Sequence, residues 1–277
     1  MTIFITILNI TSLYMKHISI LGSGWLGTPL AENLIDKGYY VKGSTTTLAK
    51  MNILEEHKIK PYHINLYEDN IQFLDPFIGN AELLIITIPP IRNEPTPTYA
   101  DNFKKLIPYL HKHNIKNVIM MSSVSVYAPQ KEEITENNQL FSTEPTAVQI
   151  REAEDVLLNE AGINTCILRL GGLFSEDRRP VDYIVRREIL DNPELPINMI
   201  HLDDIITLSS AIIDKGFSGN HIYNIVSPKY TSRLDYYAQE AEKHKLTLPP
   251  LGENNSDFYK KISGNKIAEV TNLSYKF

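Results

Sequence analysis

The sequence predicts an α/β protein built on a doubly wound parallel sheet, and three observations predict it. Short apolar runs alternate with helical stretches along most of the chain, the pattern of a parallel sheet covered on both faces. The first run, Ile18-Ser19-Ile20-Leu21, opens directly into Gly22-x-Gly24-x-x-Gly27. Beyond it Leu26, Leu30 and Leu34 recur at one face of a helix that ends near Gly38. Strand, glycine turn and helix in that succession form the dinucleotide-binding fingerprint of a Rossmann-type sheet. Gly22 allows the sharp turn, Gly24 lets a pyrophosphate approach the backbone, and Gly27 lets helix and strand pack closely. Ser23, Trp25 and Leu26 complete the turn. Free N–H groups and the positive dipole end at the helix start then face the phosphates.

The remaining elements follow in order. Tyr39 to Ser44 reads as a second strand whose tip continues Ser44-Thr45-Thr46-Thr47. A carboxylate there, about 20 residues after the glycines, would hold both ribose hydroxyls of NAD. None is present, and hydroxyls with the nearby Lys50 suit a 2′-phosphate, so NADP is the expected cofactor and NAD the alternative. The other reading of Ser44 to Thr47 is a polar turn capping a helix from about Leu48. Tyr62 to Leu66 is a third strand, and Leu83 to Ile88 a wholly apolar fourth ending at Pro89-Pro90. A loop with Pro95 and Pro97 follows, then a helix from Tyr99 to His113. Asn117 to Met121 is the fifth strand, Pro145 to Glu160 a helix, and Asn164 to Leu170 the sixth strand. The expected strand order is 3-2-1-4-5-6, with an extra strand allowed. Past Gly171 the pattern loosens: helices are expected over Val181 to Leu190, Asp203 to Asp214 and Leu234 to Lys245, and a strand over His221 to Val226.

Residues 15–170 are therefore expected to form the cofactor domain, and 171–277 a smaller substrate-side region packed on it. Residues 1–14 carry no charged side chain, lack the marks of a signal peptide and are too short to span a bilayer. The expectation is either that Met15 is the natural start or that 1–14 is a poorly ordered extension outside the fold. The net charge of −6 gives no electrostatic basis for binding nucleic acid. The 8 histidines show no metal-ligand spacing, so no metal site is expected. A single cysteine, Cys166, excludes an internal disulfide and suits a cytoplasmic protein without membrane attachment. Within its apolar run it reads as packing rather than a nucleophile.

Further segments carry a resemblance. Besides the glycine turn they are Ser122-Ser123-Val124-Ser125-Val126-Tyr127, Leu168 to Phe174, Asn198 to Asp204, and Ile222-Tyr223-Asn224. Together they make the chain, from Met15 onward, resemble the extended short-chain dehydrogenase/reductases, the nucleotide-sugar epimerase and dehydratase group. It is most similar to atypical members described only as sugar-nucleotide epimerase-like. The resemblance implies a small hydroxylated substrate, nucleotide-linked in many relatives, and pairing into a homodimer through the helices from Tyr99 and Pro145. It also implies a serine at the end of the fifth strand, here Ser123, that orients a substrate oxygen. In the family a tyrosine one helix later is the general acid/base, and a lysine four residues on lowers its pKa. Aligning the family's glutamate with Glu154 puts Thr146 and Ile150 at those two places, and neither can do the chemistry.

Tyr127-Ala128-Pro129-Gln130-Lys131 matches the tyrosine–lysine spacing as text, but Pro129 argues against a helical turn there. Ser123 and Tyr127 are the catalytic candidates that remain. Thr87, Pro89 and Ser122 are expected along the cofactor groove. Arg178 is a candidate for substrate phosphate, and His201 for the substrate cleft. The expected activity is NAD(P)-linked redox or epimerase-type chemistry. The alternative is a cofactor-binding sensor or scaffold that has lost it.

Overall fold

The computed structural model describes residues 16–68, 71–90, 98–229, 231–255 and 257–277. The expected extension at 1–14, Met15, and the loop prolines Pro95 and Pro97 lie outside the described residues. The chain runs β1 (His17–Leu21), α1 (Gly27–Asp36), β2 (Tyr40–Thr45), α2 (Lys50–Glu56), β3 (Lys60–His63), α3 (Leu74–Ile78) and β4 (Leu83–Ile86). It continues through α4 (Tyr99–Lys112), β5 (Asn117–Ser123), α5 (Pro145–Leu158), β6 (Asn164–Leu170), β7 (Gly172–Phe174) and α6 (Val181–Ile184). The last third holds β8 (Pro196–Ile197), β9 (Met199–His201), α7 (Leu202–Lys215), β10 (His221–Ile225), β11 (Thr231–Ser232), α8 (Arg233–His244) and α9 (Asn265–Thr271).

Seven strands form one parallel sheet in the order β3-β2-β1-β4-β5-β6-β10. The expected order holds, and β10 is the additional strand. Alternate residues of each strand serve opposite faces. Ile18 and Ile20 of β1, with Leu83 and Ile85 of β4, pack under α1 and α7 against Leu30, Leu34, Ile205 and Leu208. Leu21, Leu84, Ile86 and Met120 pack under α3, α4 and α5 against Phe77, Phe103, Leu106 and Leu157. Covering on both faces is why β4 is apolar at every position. Cys166 is fully buried in β6, and burial pushes its thiol up to about 12, so packing is its role here.

The sequence pattern and the structure part in several places, and β3 runs over Lys60–His63 rather than Tyr62 to Leu66. Helix α3 carries no signal in the sequence, because five residues with Pro76 inside show no period. The stretch from Val181 is helical only to Ile184. There Leu190 leaves the helical path to exchange backbone hydrogen bonds with Pro250 and Gly252, both at 2.9 Å. Helix α2 begins at Lys50 without a side-chain cap, so Ser44 to Thr47 do not cap it. No helix of the described residues is long and apolar enough to cross a membrane.

Candidate functional site

The glycine turn between β1 and α1 has the shape its sequence requires. Gly22 has φ +107°, and a Cβ on it would lie 2.8 Å from Thr87 Oγ1 and Ile88 Cγ2. A Cβ on Gly27 would lie 2.2 Å from the Gly22 carbonyl oxygen, so helix and strand can meet this closely only at glycine. A Cβ on Gly24 would meet nothing within 4 Å. Gly24 therefore presents bare backbone to open space. The turn is braced from its neighbours: Ser44 Oγ accepts from the Gly22 N–H at 2.9 Å, the Ser44 carbonyl accepts from the Ser23 N–H at 2.7 Å, and Thr87 Oγ1 donates to the Gly22 carbonyl. Helix α1 has no side-chain cap and no acidic residue in its first turn. The Thr28 and Leu30 N–H groups donate to the Gly24 and Leu26 carbonyls and Pro29 carries none, so the N–H groups of Leu26 and Gly27 are the ones left to a ligand.

A cleft of about 570 Å³ lies over this turn. Gly22, Ser23, Gly24, Trp25, Leu26, Gly27, Ser44, Thr45, Thr46, Thr87, Pro89 and Ser122 all line it, with Ser123 and Arg178. Among the described residues that line it there is no carboxylate, and Lys50 and Arg178 are its cations. Arg178 rests its guanidinium 4.9 Å from the Trp25 ring centre. Not every lining residue offers its side chain. Ser44, Ser23 and Thr45 are buried: the Ser44 Oγ accepts from the Gly22 N–H, the Ser23 hydroxyl packs against Gly43, and Thr45 Oγ1 accepts from the Thr47 N–H at 3.2 Å. Thr46 and Lys50 stand exposed at the tip of β2. The donor set fits a nicotinamide dinucleotide: backbone N–H groups and a dipole for the diphosphate, and cations at two edges.

At the far end of the cleft Ser123 is half-buried, and its Oγ accepts from the Ser125 N–H at 3.1 Å. The hydroxyl hydrogen stays available to a substrate oxygen. Ile150 lines the cleft from α5, and Thr146 is exposed on the same helix. The positions that hold the family's lysine and tyrosine thus bear an apolar side chain and a solvated hydroxyl.

Tyr127 is not among the residues lining the cleft. It is fully buried, donates to Asn224 Oδ1 at 2.9 Å and accepts from Arg169 Nη1 at 2.8 Å. Burial raises its phenol pKa, against the lowering pull of Arg169. Arg169 also forms a two-pronged bond with Glu154, at 3.0 and 2.6 Å, and Glu154 accepts from the Ser122 hydroxyl. Tyr127 therefore belongs to a buried network under the cleft wall. His201 is also placed elsewhere. Its Nδ1 accepts from the Asp203 N–H at 3.2 Å to cap α7, its ring stacks on Phe277 at 3.8 Å, and it lines a separate cavity with Arg179 and His244. Sequence reasoning missed a pocket of about 450 Å³ that meets the cleft at Ser123 and Gly171 and is lined by Asn198, Arg233, Tyr259 and Lys260. Only Asn198 of these four lies in a recognised motif.

Comparison with known proteins agrees with this geometry. The family model described as NAD(P)H-binding matches residues 22–205. Protein YeeZ of Escherichia coli (strain K12) is 30% identical over 268 residues, covering 95% of this chain and 97% of its own. A functionally unknown conserved protein from Silicibacter pomeroyi DSS superposes with a TM-score of 0.76 at 18% identity, over 95% of this chain and 94% of that one. UDP-glucuronic acid 4-epimerase from Bacillus cereus, solved in complex with NAD, gives a TM-score of 0.77 at 14% identity, over 94% of each chain. The two structures share the fold, and the first two matches cover the glycine turn and most of the sheet. The chain belongs to the NAD(P)H-binding family, and it shares its fold with these two solved structures.

Proposed function

We propose that the protein is an NADP-linked oxidoreductase or epimerase-like enzyme of the cytoplasm, acting on a hydroxylated, nucleotide-sugar-class substrate. The observation that carries this reading is the cleft itself. Bare backbone at Gly24 meets an uncapped helix start, in a lining of described residues without a carboxylate in a chain of net charge −6. Anion binding is the property such a lining selects. Thr46 and Lys50 favour the 2′-phosphate of NADP at the β2 tip, where a carboxylate would repel it. The substrate class is supported by the solved relative whose name is UDP-glucuronic acid 4-epimerase.

When bound, the nicotinamide supplies a hydride donor or acceptor. The chain's part is to hold the dinucleotide by the α1 N-terminus and to fix a substrate oxygen by the Ser123 hydroxyl. The second reading, a cofactor-binding sensor without turnover, is favoured by Ile150 and Thr146. Titration with NADPH and NADH, followed by a panel of carbonyl substrates, separates the two. The enzyme reading expects NADPH to bind more tightly than NADH, and carbonyl reduction that Ser123→Ala lowers about 100-fold. Tight NADPH binding with no turnover on the panel establishes the sensor, and tighter binding of NADH overturns the NADP preference.

A further inference from the structure

The helix that carries the family's tyrosine and lysine offers neither here, so proton transfer needs a group from another direction. The second pocket brings one to Ser123. Lys260 stands on a strap from Tyr259 to Ser263 that is pinned along its length. Tyr259 and Gln130 exchange backbone bonds at 2.8 and 3.1 Å, the Ile134 N–H donates to the Lys261 carbonyl at 2.8 Å, and the Ser263 N–H donates to the Ile134 carbonyl at 2.9 Å. Asn198 clamps the same strap from the other side: Nδ2 donates to the Lys260 carbonyl at 2.7 Å, and Oδ1 accepts from the Ile262 N–H at 3.0 Å. A backbone fixed in this way sets where the flexible Lys260 stem begins. Lys260 Nζ donates to the Ser125 carbonyl at 3.3 Å, two residues past Ser123, and both Ser123 and Lys260 line the pocket.

We infer that Lys260 is the proton-transfer residue of this site, exchanging a proton with the substrate oxygen that Ser123 holds. The inference rests on the nicotinamide reading and deepens it. In the oxidising direction the hydroxyl proton of the substrate passes to the neutral Lys260 amine. A bound oxidised nicotinamide nucleotide would supply the acceptor for the carbinol hydrogen and its electron pair as the C=O bond forms, and Lys260 is left as ammonium. Reduction reverses each transfer. A single nitrogen that gains and loses one proton does the work of the absent phenol, and the Ser125 carbonyl receives its N–H in the resting state.

The surroundings suit this task. Burial lowers the Lys260 pKa, against the smaller opposing pull of Glu144, which eases release of its proton. Arg233 and Tyr259 share the pocket lining. Arg233 is turned to the Asp191 carbonyl, at 3.0 Å from Nε, and over the Tyr237 ring, so its own charge is engaged elsewhere.

The test uses the full chain and the variants Lys260→Met and Lys260→Arg. The first readout needs no substrate: acetylation by acetic anhydride across about pH 6 to 11, with each lysine followed by mass spectrometry. Lys260 is expected to become reactive at lower pH than exposed lysines such as Lys58. The second is NADPH affinity, expected to be unchanged in both variants. The third is kcat on a carbonyl that the wild type reduces, expected to fall about 100-fold or more in both variants, because arginine keeps the charge but does not release its proton. Acetylation of Lys260 like an exposed lysine, rescue by arginine, or a kcat and pH profile unchanged in Lys260→Met each overturns the inference. Wild-type protein that binds no nicotinamide nucleotide overturns the cofactor reading instead, before any variant is compared. The acetylation profile, read on the unaltered chain, decides even if Lys260→Met fails to fold.

Discussion

An alanine methyl at Gly27 would sit 2.2 Å from the Gly22 carbonyl oxygen, whereas one at Gly24 would meet nothing within 4 Å. The same substitution therefore has two different outcomes three residues apart. Gly27→Ala must push helix α1 off the strand and is expected to cost about 1–3 kcal/mol in urea unfolding. Gly24→Ala is expected to leave stability within about 0.5 kcal/mol of wild type. Its methyl would occupy the space of the diphosphate, so NADPH affinity should fall about tenfold or more, near 1.4 kcal/mol. Gly24→Ala binding NADPH normally would show that the dinucleotide does not lie over this turn. At the other end of the adenosine side, Lys50→Ala should weaken NADPH about fivefold and leave NADH unchanged. Equal losses for both nucleotides would place Lys50 on the diphosphate rather than the 2′-phosphate. The turn was legible in the sequence because each of its glycines answers a local steric demand. The roles of Ser44 and Tyr127 were not, because a hydroxyl looks the same in sequence whether it meets a ligand or the N–H of Gly22.

Helix α5 is fastened to β6 by one buried ion pair rather than by apolar packing alone. Glu154 is 1% exposed and Arg169 is 3% exposed, and the pair continues to Ser122 on one side and to Tyr127 and Asn224 on the other. Burial alone would lower the Arg169 pKa, but the Glu154 carboxylate and the Tyr127 phenol together outweigh it and the guanidinium pKa is raised. Removing one partner strands the other, so Arg169→Met is expected to cost about 3–5 kcal/mol. Tyr127→Phe deletes only a hydroxyl and is expected to cost about 1–3 kcal/mol, with NADPH affinity and turnover close to wild type. A Tyr127→Phe protein that is stable but inactive would return that phenol to the chemistry. Helix α4 starts on a different device. Thr98 and Asp101 form a reciprocal cap, and bonds from Lys104 and then Thr98 hold the Asp101 carboxyl at about 2. Its folded pKa lies below its unfolded one. Its contribution is therefore complete above about pH 4 and fades as pH falls toward 2. The stability gap between wild type and Asp101→Asn, measured against pH, should close over that window. Helices of this length announce themselves by period and cap. The two- and three-residue pairs β7 with β9 and β8 with β11 do not, because their partners lie far apart in the chain and leave no repeat to read.

The helix that receives the cofactor is held in place by the last third of the chain. Helix α7 packs on α1, where Ser210 Oγ donates to Asn33 Oδ1 at 2.7 Å, Lys37 pairs with Asp214 at 2.6 Å, and Tyr39 donates to Asp214 at 3.1 Å. Ile205, Leu208 and Ile212 of α7, Tyr223 and Ile225 of β10, and Ile267 of α9 share one apolar cluster with Leu30 and Leu34 of α1. The boundary read from the sequence falls after Leu170, where the alternation of strand and helix loosens. Packing is continuous across that point, since β10 pairs with β6 along the register from Cys166 to Leu170. A loosened pattern marks where insertions shape a substrate pocket, and the core need not end there. A chain cut after Leu170 would bare the β6 edge and the α7 side of α1 together. It is expected to lose cooperative urea unfolding and near-ultraviolet circular dichroism, and to aggregate through the open edge. The full chain should unfold in a single transition that NADPH shifts upward as a whole, because the nucleotide binds the folded state alone. Two resolved transitions, with only the first shifted by NADPH, would show instead that residues 15–170 stand as a separate folding unit. In that case the Ser123 end of the cleft and the Lys260 strap would not share one cooperative structure.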